Sequence, residues 1–185
     1  MLKKTHLLVL FYLAKRTHDM AQAKTLTPAE LDQVLAYIAA RRFALRNRVM
    51  LLTGFYSGMR VGEIASLSIA DVVNADGTVK AEIRLSAAQT KGRQPRTVFV
   101  PQKLRDELQG YVDLLKPFNP KHPLFVTAGR RAFTASVMTQ HFYWLFKNAG
   151  VAGASSHSMR RSFITNLAAK GIGVRVLASL AGHRS

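Results

Sequence analysis

Cysteine is absent from the 185-residue sequence, and acidic residues are scarce. The absence of cysteine excludes a disulfide framework, a thiolate metal site and a cysteine nucleophile. Ten aspartates and glutamates stand against 27 lysines and arginines, which gives a formal net charge of +17. Solubility does not require so large an excess, so the charge indicates a polyanionic partner, with nucleic acid as the first candidate.

Long apolar runs are also lacking. The apolar stretch at residues 7–14 follows Lys3 and Lys4, but it is too short to cross a bilayer and has no convincing small-residue cleavage site. We therefore interpret it as a buried or docking helix rather than a signal peptide. We expect no membrane partner and a cytoplasmic location.

Motifs for metal and nucleotide chemistry are missing as well. The sequence has no GxxxxGK[ST] loop, no His-Glu-x-x-His and no carboxylate cluster suited to magnesium. Any phosphate chemistry would then run without a metal or a small-molecule cofactor, and cationic side chains would stabilise charge and activate the leaving oxygen.

The residues that are present suit one globular domain, since 48% of them are hydrophobic. We expect an N-terminal apolar segment and linker at residues 1–24 and a single domain at residues 25–185. The periodicity predicts an α+β fold that is mainly α-helical, with a small three-stranded antiparallel sheet. The predicted strands are residues 79–85 and 97–100, with a short third strand at 71–73. A helix begins after Thr27 and another covers residues 42–57, ending at Gly58.

Arg60 lies where a loop enters a short helix, a position at which backbone amides favour an anion. Glu63 follows one turn later and could hold a basic side chain in place, although a simple Arg60–Glu63 helix pair is the alternative interpretation.

His157 and Arg160 are three residues apart at the start of an apolar helix, so both can reach one ligand. An imidazole beside a planar guanidinium suits a phosphate better than a metal or a carbonyl. A solvated surface pair is the alternative.

Further basic residues surround these positions. Lys91 lies in a predicted hairpin turn, where a mobile lysine is usually only exposed but near a phosphate can deliver a proton. Arg41 and Arg42 open the helix at 42–57 as either a solvated face or a phosphate-contacting edge. His183 follows Ala181 and Gly182 near the end of the sequence.

Together these segments resemble the catalytic domain of the tyrosine recombinase (phage integrase) family. Residues 53–63 (Thr-Gly-Phe-Tyr-Ser-Gly-Met-Arg-Val-Gly-Glu) look like the first-arginine box, and residues 90–92 (Thr-Lys-Gly) look like the β-hairpin lysine. Residues 157–160 (His-Ser-Met-Arg) look like the His-x-x-Arg box, and residues 181–183 (Ala-Gly-His) look like the Leu-Gly-His that precedes the nucleophile. The resemblance covers about residues 25–185.

The resemblance implies site-specific DNA strand cleavage and rejoining through a phosphotyrosyl intermediate. Arg60 and Arg160 would clamp the scissile phosphate, Lys91 would protonate the departing 5′ oxygen, and His157 would act in proton transfer. His183 would hydrogen-bond the phosphate, and Glu63 would buttress the site.

The partners implied are double-stranded DNA and other recombinase protomers, in a protein of bacterial, phage or plasmid origin. The arginines that we expect to contact DNA are Arg41, Arg42, Arg93, Arg96 and Arg161.

The sequence departs from the family pattern because no tyrosine follows Gly182 before the last residue, Ser185. We therefore expect a domain shortened at its C-terminus and inactive alone. Experimental shortening, natural loss and a tyrosine supplied by a partner remain open. The tyrosines present are Tyr12, Tyr37, Tyr56, Tyr111 and Tyr143.

Two other functional readings remain open. A non-catalytic DNA-binding remnant or regulator of a full-length recombinase is one, and a type IB topoisomerase is the other.

Residues 1–24 are too short for the family's N-terminal core-binding domain, so we expect weakened, salt-sensitive binding to DNA.

Overall fold

A computed structural model describes residues 23–182. The predicted apolar helix at 7–14, Tyr12 and His183 lie outside the described residues. The α-helices between residues 23 and 182 are α1 (Pro28–Ala39), α2 (Ala44–Ser57), α3 (Val61–Ala65), α4 (Ile69–Val72), α5 (Gln102–Asp113), α6 (Ala135–Asn148), α7 (Ser156–Ala169) and α8 (Val174–Ala181). None of these helices combines the length and the apolar character needed to cross a membrane.

The start of α1 follows from its capping residues. The Thr27 hydroxyl accepts a hydrogen bond from the Glu30 backbone N–H at 3.2 Å, and the Glu30 carboxylate accepts one from the Thr27 N–H at 3.0 Å. This reciprocal box satisfies two backbone donors that the first turn leaves unpaired. The helix start predicted at Thr27 is confirmed.

Helix α2 begins two residues later than the predicted 42–57. Phe43 takes a left-handed conformation with φ of 62°, which the right-handed helix cannot include, so α2 starts at Ala44. The predicted end is confirmed, because Gly58 caps α2 in the left-handed region with φ of 64°.

The sheet has two strands within the described residues rather than the predicted three. Strand β1 (Glu82–Leu85) pairs antiparallel with β2 (Arg96–Phe99). The segment predicted as the third strand instead closes into α4, because Asp71 and Ser68 form a reciprocal cap at its first turn. Val73 keeps only an isolated bridge to Val79. The mainly helical α+β prediction is confirmed.

Helix α2 is the centre of the core. It is buried along most of its length because α1, α5 and α7 pack around it. Gly54 permits the close crossing with α7, since a Cβ at this position would lie 2.9 Å from Met159 Sδ. Arg60 follows the C-terminal end of α2, and His157 and Arg160 lie in the first turns of α7. The packing of these two helices therefore positions the segments around Arg60 and Arg160 relative to each other.

A buried polar network joins the start of α2 to α6. Asn47 Oδ1 accepts hydrogen bonds from Arg46 Nη2 at 2.8 Å and lies 3.2 Å from His141 Nε2. Arg46 also donates to the Val126 carbonyl at 2.7 Å. Burial, with a smaller contribution from the Arg46 charge, lowers the pKa of His141 to about 4. His141 is therefore a neutral, partly buried residue at neutral pH.

This network predicts an acid-dependent loss of stability. Unfolded His141 binds a proton near pH 6.5, whereas folded His141 does so only near pH 4. Its contribution is therefore complete above pH 6.5 and is lost as the pH falls towards 4, by roughly 2–3 kcal/mol. Urea unfolding of the wild type and His141→Gln should show their difference in unfolding free energy shrinking by that amount between pH 7 and 4. A difference that stays constant with pH would contradict the assignment.

Candidate active site

Arg60 is placed by the turn between α2 and α3. It is the N-cap of α3, and its backbone N–H donates to Glu63 Oε2 at 2.7 Å. Its side chain returns to the same carboxylate, with Nη1 donating to Oε1 at 3.1 Å. The side chain keeps 29% of its surface exposed, so Arg60 is anchored yet reaches the surface.

Glu63 is the buried anion of this region, with 1% of its surface exposed. Its Oε1 accepts a hydrogen bond from Arg96 Nε at 3.1 Å, and its Oε2 accepts one from Arg96 Nη2 at 2.6 Å. Burial by itself raises the pKa of Glu63, but the hydrogen bonds from Arg96 and from the Arg60 backbone, together with both positive charges, outweigh it. The pKa of Glu63 therefore lies below its ordinary value, and the group is a carboxylate at neutral pH.

Arg160 approaches the same region from α7. Helix α7 is capped by the Ser155 hydroxyl, and its first turns carry Arg160 towards the end of α2. Arg160 Nη1 donates to the Gly58 carbonyl at 2.6 Å. Burial first, and then the charges of Arg60 and Arg96, lower the pKa of Arg160 to about 10, while Glu63 opposes the shift. Arg160 therefore stays cationic at neutral pH and lies within electrostatic reach of Arg60.

His157 lies one turn earlier on α7 than Arg160 and is exposed. Both residues line an open cleft of about 970 Å³, together with Ser155 and Arg161. The predicted His157–Arg160 pair therefore faces one common space, as the i, i+3 spacing requires.

Lys91 lies at the tip of the β1–β2 hairpin and is exposed. The Thr90 hydroxyl holds the turn, because it donates to the Gln94 carbonyl at 2.7 Å and accepts the Gln94 N–H at 3.0 Å. Lys91 and Arg60 line a second cleft, of about 560 Å³, with Gly182. The hairpin thus presents an exposed lysine to the space beside Arg60.

The arginines predicted to contact DNA fall into two groups. Arg41, Arg42 and Arg93 are exposed, and Arg161 is half-buried with its Nε donating to Thr25 Oγ1 at 3.2 Å. Arg96 differs, because its side chain is only 11% exposed and its donors are used by Glu63 and by the Leu180 carbonyl.

The sequence patterns missed the pairing of Arg96 with Glu63. Strand β2 begins at Arg96, and pairing Leu85 with Arg96 turns this residue towards α3. The sequence around Arg96 shows only a basic turn followed by a strand. It gives no sign of Glu63, because that partner lies 33 residues earlier in the chain.

The tyrosines in the described part of the chain stay outside the two clefts that hold Arg60, Lys91, His157 and Arg160. Tyr111 is buried and donates to the Leu124 carbonyl at 3.1 Å, and Tyr56 lies beside Lys103. Within residues 23–182, no group of three His, Cys, Asp or Glu side chains is arranged to hold a metal ion.

The arrangement is chemically suited to an anion. Arg60 and Arg96 both bind the carboxylate of Glu63, and the Arg160 cation lies within electrostatic range of all three groups. The positive charge in excess lies beside two open clefts, where a phosphate oxygen can accept charge-assisted hydrogen bonds. Fixed cations of this kind stabilise the charge that develops at phosphorus without reorganising during the reaction.

Comparison with known proteins identifies the family. Residues 24–185 match the phage integrase family, and this match covers most of the sequence. The chain belongs to the phage integrase family. The resemblance predicted from the boxes at residues 53–63, 90–92 and 157–160 is confirmed.

Its relatives are tyrosine recombinases. Tyrosine recombinase XerA of Pyrococcus furiosus is 28% identical over 165 residues, which cover 88% of this chain and 54% of the relative. Tyrosine recombinase XerD of Xanthomonas campestris is 29% identical over 179 residues, covering 88% of this chain and 52% of the relative. The chain thus spans about half the length of the curated relatives it matches.

Solved structures share the fold. The crystal structure of XerA recombinase matches with a TM-score of 0.72 and 26% identity, over 87% of this chain and 56% of that chain. The Tn1549 transposon integrase, in complex with transposon right end DNA, matches with a TM-score of 0.68 and 20% identity, over 90% of this chain and 60% of that chain.

Proposed function

We propose that this chain is the catalytic domain of a site-specific DNA recombinase or integrase that acts by strand cleavage and rejoining. The observation that carries the proposal is that Arg160 of α7 binds the Gly58 carbonyl, two residues before Arg60, so both guanidinium groups are anchored at the turn between α2 and α3. These arginines are far apart in sequence, yet the close packing of α2 on α7 brings them together. A surface salt-bridge role would not require such a convergence.

The proposed roles are those that the family resemblance implies for these residues. Arg60 and Arg160 bind the non-bridging oxygens of the scissile phosphate and stabilise the pentacovalent transition state. Lys91, on the hairpin that borders the Arg60 cleft, protonates the departing 5′ oxygen. His157 exchanges a proton with the nucleophile from the exposed turn of α7. His183, which follows Gly182 in the sequence, hydrogen-bonds the phosphate.

A tyrosine hydroxyl attacks phosphorus in this scheme, forming the phosphotyrosyl bond as the 5′ oxygen leaves with a proton from Lys91. Rejoining reverses these steps, so no metal or cofactor enters the balance. The described tyrosines lie outside both clefts, so the nucleophile comes from another part of the protein or from another protomer. The proposed partners are therefore double-stranded DNA and other recombinase protomers, and the proposed setting is the cytoplasm of a bacterium carrying the gene on its chromosome, a phage or a plasmid.

A second candidate is a non-catalytic DNA-binding protein that occupies recombination sites or regulates a full-length recombinase. The position of the described tyrosines outside both clefts favours it. This candidate shares DNA binding with the first, but it does not need the phosphate pocket, the cleft lined by Arg60 and Lys91, to support cleavage.

Salt-dependent binding tests the DNA partner that both candidates share. Duplex affinity, measured by fluorescence anisotropy between 50 and 300 mM salt, should fall with a log–log slope of about −0.9 for each neutralised phosphate. The variants Arg41→Gln and Arg42→Gln should each reduce the magnitude of that slope by about one.

The control for this experiment is Lys121→Gln. Lys121 is exposed in a loop that borders neither cleft, so its loss should leave the slope unchanged. Equal effects of all three substitutions would indicate nonspecific attraction by the net charge rather than a defined DNA-binding edge.

A further inference from the structure

Arg96 lines the cleft of Arg60 and Lys91, but it directs three of its five N–H donors into the protein. Its Nε and Nη2 donate to the two oxygens of Glu63, at 3.1 Å and 2.6 Å, and its Nη1 donates to the Leu180 carbonyl at 3.1 Å. A guanidinium held on three sides in this way, with 11% of its surface exposed, is poorly placed to contact a DNA phosphate.

Glu63 is saturated by these contacts. Its two oxygens accept four hydrogen bonds, two from Arg96, one from the Arg60 backbone and one from Arg60 Nη1. Four is about the full acceptor capacity of a carboxylate. Arg60 is therefore limited to one side-chain bond with Glu63, whereas a free carboxylate would favour a two-bond fork with it.

Both arginines also hold the end of α8. Arg96 binds the Leu180 carbonyl, and Arg60 Nη2 donates to the Gly182 carbonyl at 3.3 Å. The fit at this point is tight, since a Cβ at Gly182 would lie 2.8 Å from Arg96 Cδ. Strand β2, helix α3 and the last turn of α8 thus meet at Arg96.

We propose that Arg96 is a positioning residue that occupies Glu63, keeps Arg60 directed towards the phosphate pocket and fixes the end of α8 beside it. This inference rests on the proposed function, because the pocket that it serves is the phosphate pocket. It replaces the DNA contact that the sequence predicts for Arg96. Without Arg96, Glu63 would form a two-bond ion pair with Arg60. The pocket would then lose a free cation, and Arg60 would no longer be directed towards the phosphate.

The test compares Arg96→Gln with Arg93→Gln, which removes an exposed arginine from the same hairpin. In DNA-free protein, Arg96→Gln should accelerate amide exchange in residues 174–182 by at least about tenfold relative to α1, because two anchors of α8 are weakened. It should also weaken the response of the Arg60 Nε–H NMR signal to inorganic phosphate by about tenfold. Arg93→Gln should change neither measurement.

Duplex binding gives a second comparison. Arg93→Gln should reduce the magnitude of the salt slope by about 0.9, as one lost phosphate contact requires. Arg96→Gln should reduce it by no more than the one contact that Arg60 makes, and only together with the loss of the Arg60 response to phosphate. Arg96→Lys keeps the charge but not the planar fork, so it should recover part of the Arg60 response.

Two results would overturn the inference. The first is a slope that falls by about one in Arg96→Gln, with α8 exchange and the Arg60 signal unchanged, since that identifies a phosphate contact. The second is equal acceleration of exchange in α1 and α8 in both Arg96 variants, since that identifies a general loss of stability. If the wild type binds no DNA, the proposed function fails, but the exchange and phosphate measurements on free protein still decide the role of Arg96.

Discussion

Arg60→Ala is expected to lower phosphodiester cleavage by about 10²–10³-fold, while duplex affinity falls by less than about tenfold. Arg60 is one of two arginines proposed to stabilise the transition state, but it is one among many basic residues that attract DNA. The assay would use a fusion of this chain to the tyrosine-bearing segment of a relative. Cleavage would be measured as the amount of covalent protein–DNA product. Duplex affinity would be measured with the same protein and DNA.

Arg41→Ala is the matched control, because Arg41 is exposed at the start of the α1–α2 turn and stacks on Tyr37 at 4.7 Å. It should weaken duplex binding while the rate of cleavage from saturated complexes stays within about twofold. If Arg60→Ala instead reduces binding and cleavage by the same factor, Arg60 is only a phosphate contact, and the non-catalytic reading gains support.

Gly58→Ala is expected to destabilise the fold by about 2–4 kcal/mol, a large share of a typical domain's stability. Gly58 has φ of +64°, where an alanine is strained by roughly 1 kcal/mol or more. An added Cβ would also lie 2.3 Å from Cδ1 of Phe163, so the ring on α7 must move, which adds roughly 1–3 kcal/mol. Urea unfolding measures the change.

Gly92→Ala provides the control, since a Cβ at this hairpin glycine meets no heavy atom within 4 Å. It should change the unfolding free energy by less than about 0.5 kcal/mol. Because Arg160 binds the Gly58 carbonyl, Gly58→Ala should also weaken the response of Arg160 to phosphate. Similar stabilities for the two variants would contradict the described turn between α2 and α3.

The positions of the boxes could be predicted because their signals are local. The end of α2 follows from Gly58, the start of α1 from Thr27 and Glu30, and the shared face of His157 and Arg160 from helical spacing. Each of these features depends on residues within one or two turns. The fold class and the family follow from the same local patterns taken in order.

The helical turn that replaces the predicted third strand could not be predicted, because extended and helical conformations compete closely at residues 69–73. The reciprocal cap between Ser68 and Asp71 decides the outcome in favour of a helical turn. The role of Arg96 was equally inaccessible, since its partners Glu63 and Leu180 lie 33 and 84 residues away. Such long-range pairing becomes visible only when β2, α3 and α8 are placed together.

Two arginines at the start of α2 are held by partners within the protein. Arg46 belongs to the internal network with Asn47, and Arg48 forms a two-bond pair with Glu107. The exposed arginines of this region are Arg41 and Arg42, which stack on Tyr37 and Phe43. The net charge of +17 therefore overstates the basic surface that is open to DNA.

The shared role of Arg60 and Arg160 would be decided by a crystal structure of the protein bound to duplex DNA. We expect one backbone phosphate within hydrogen-bond distance of both Arg60 and Arg160, with Lys91 and His157 bordering it and Arg96 still paired with Glu63. A duplex that crosses another face of the molecule, with no phosphate shared by Arg60 and Arg160, would contradict it.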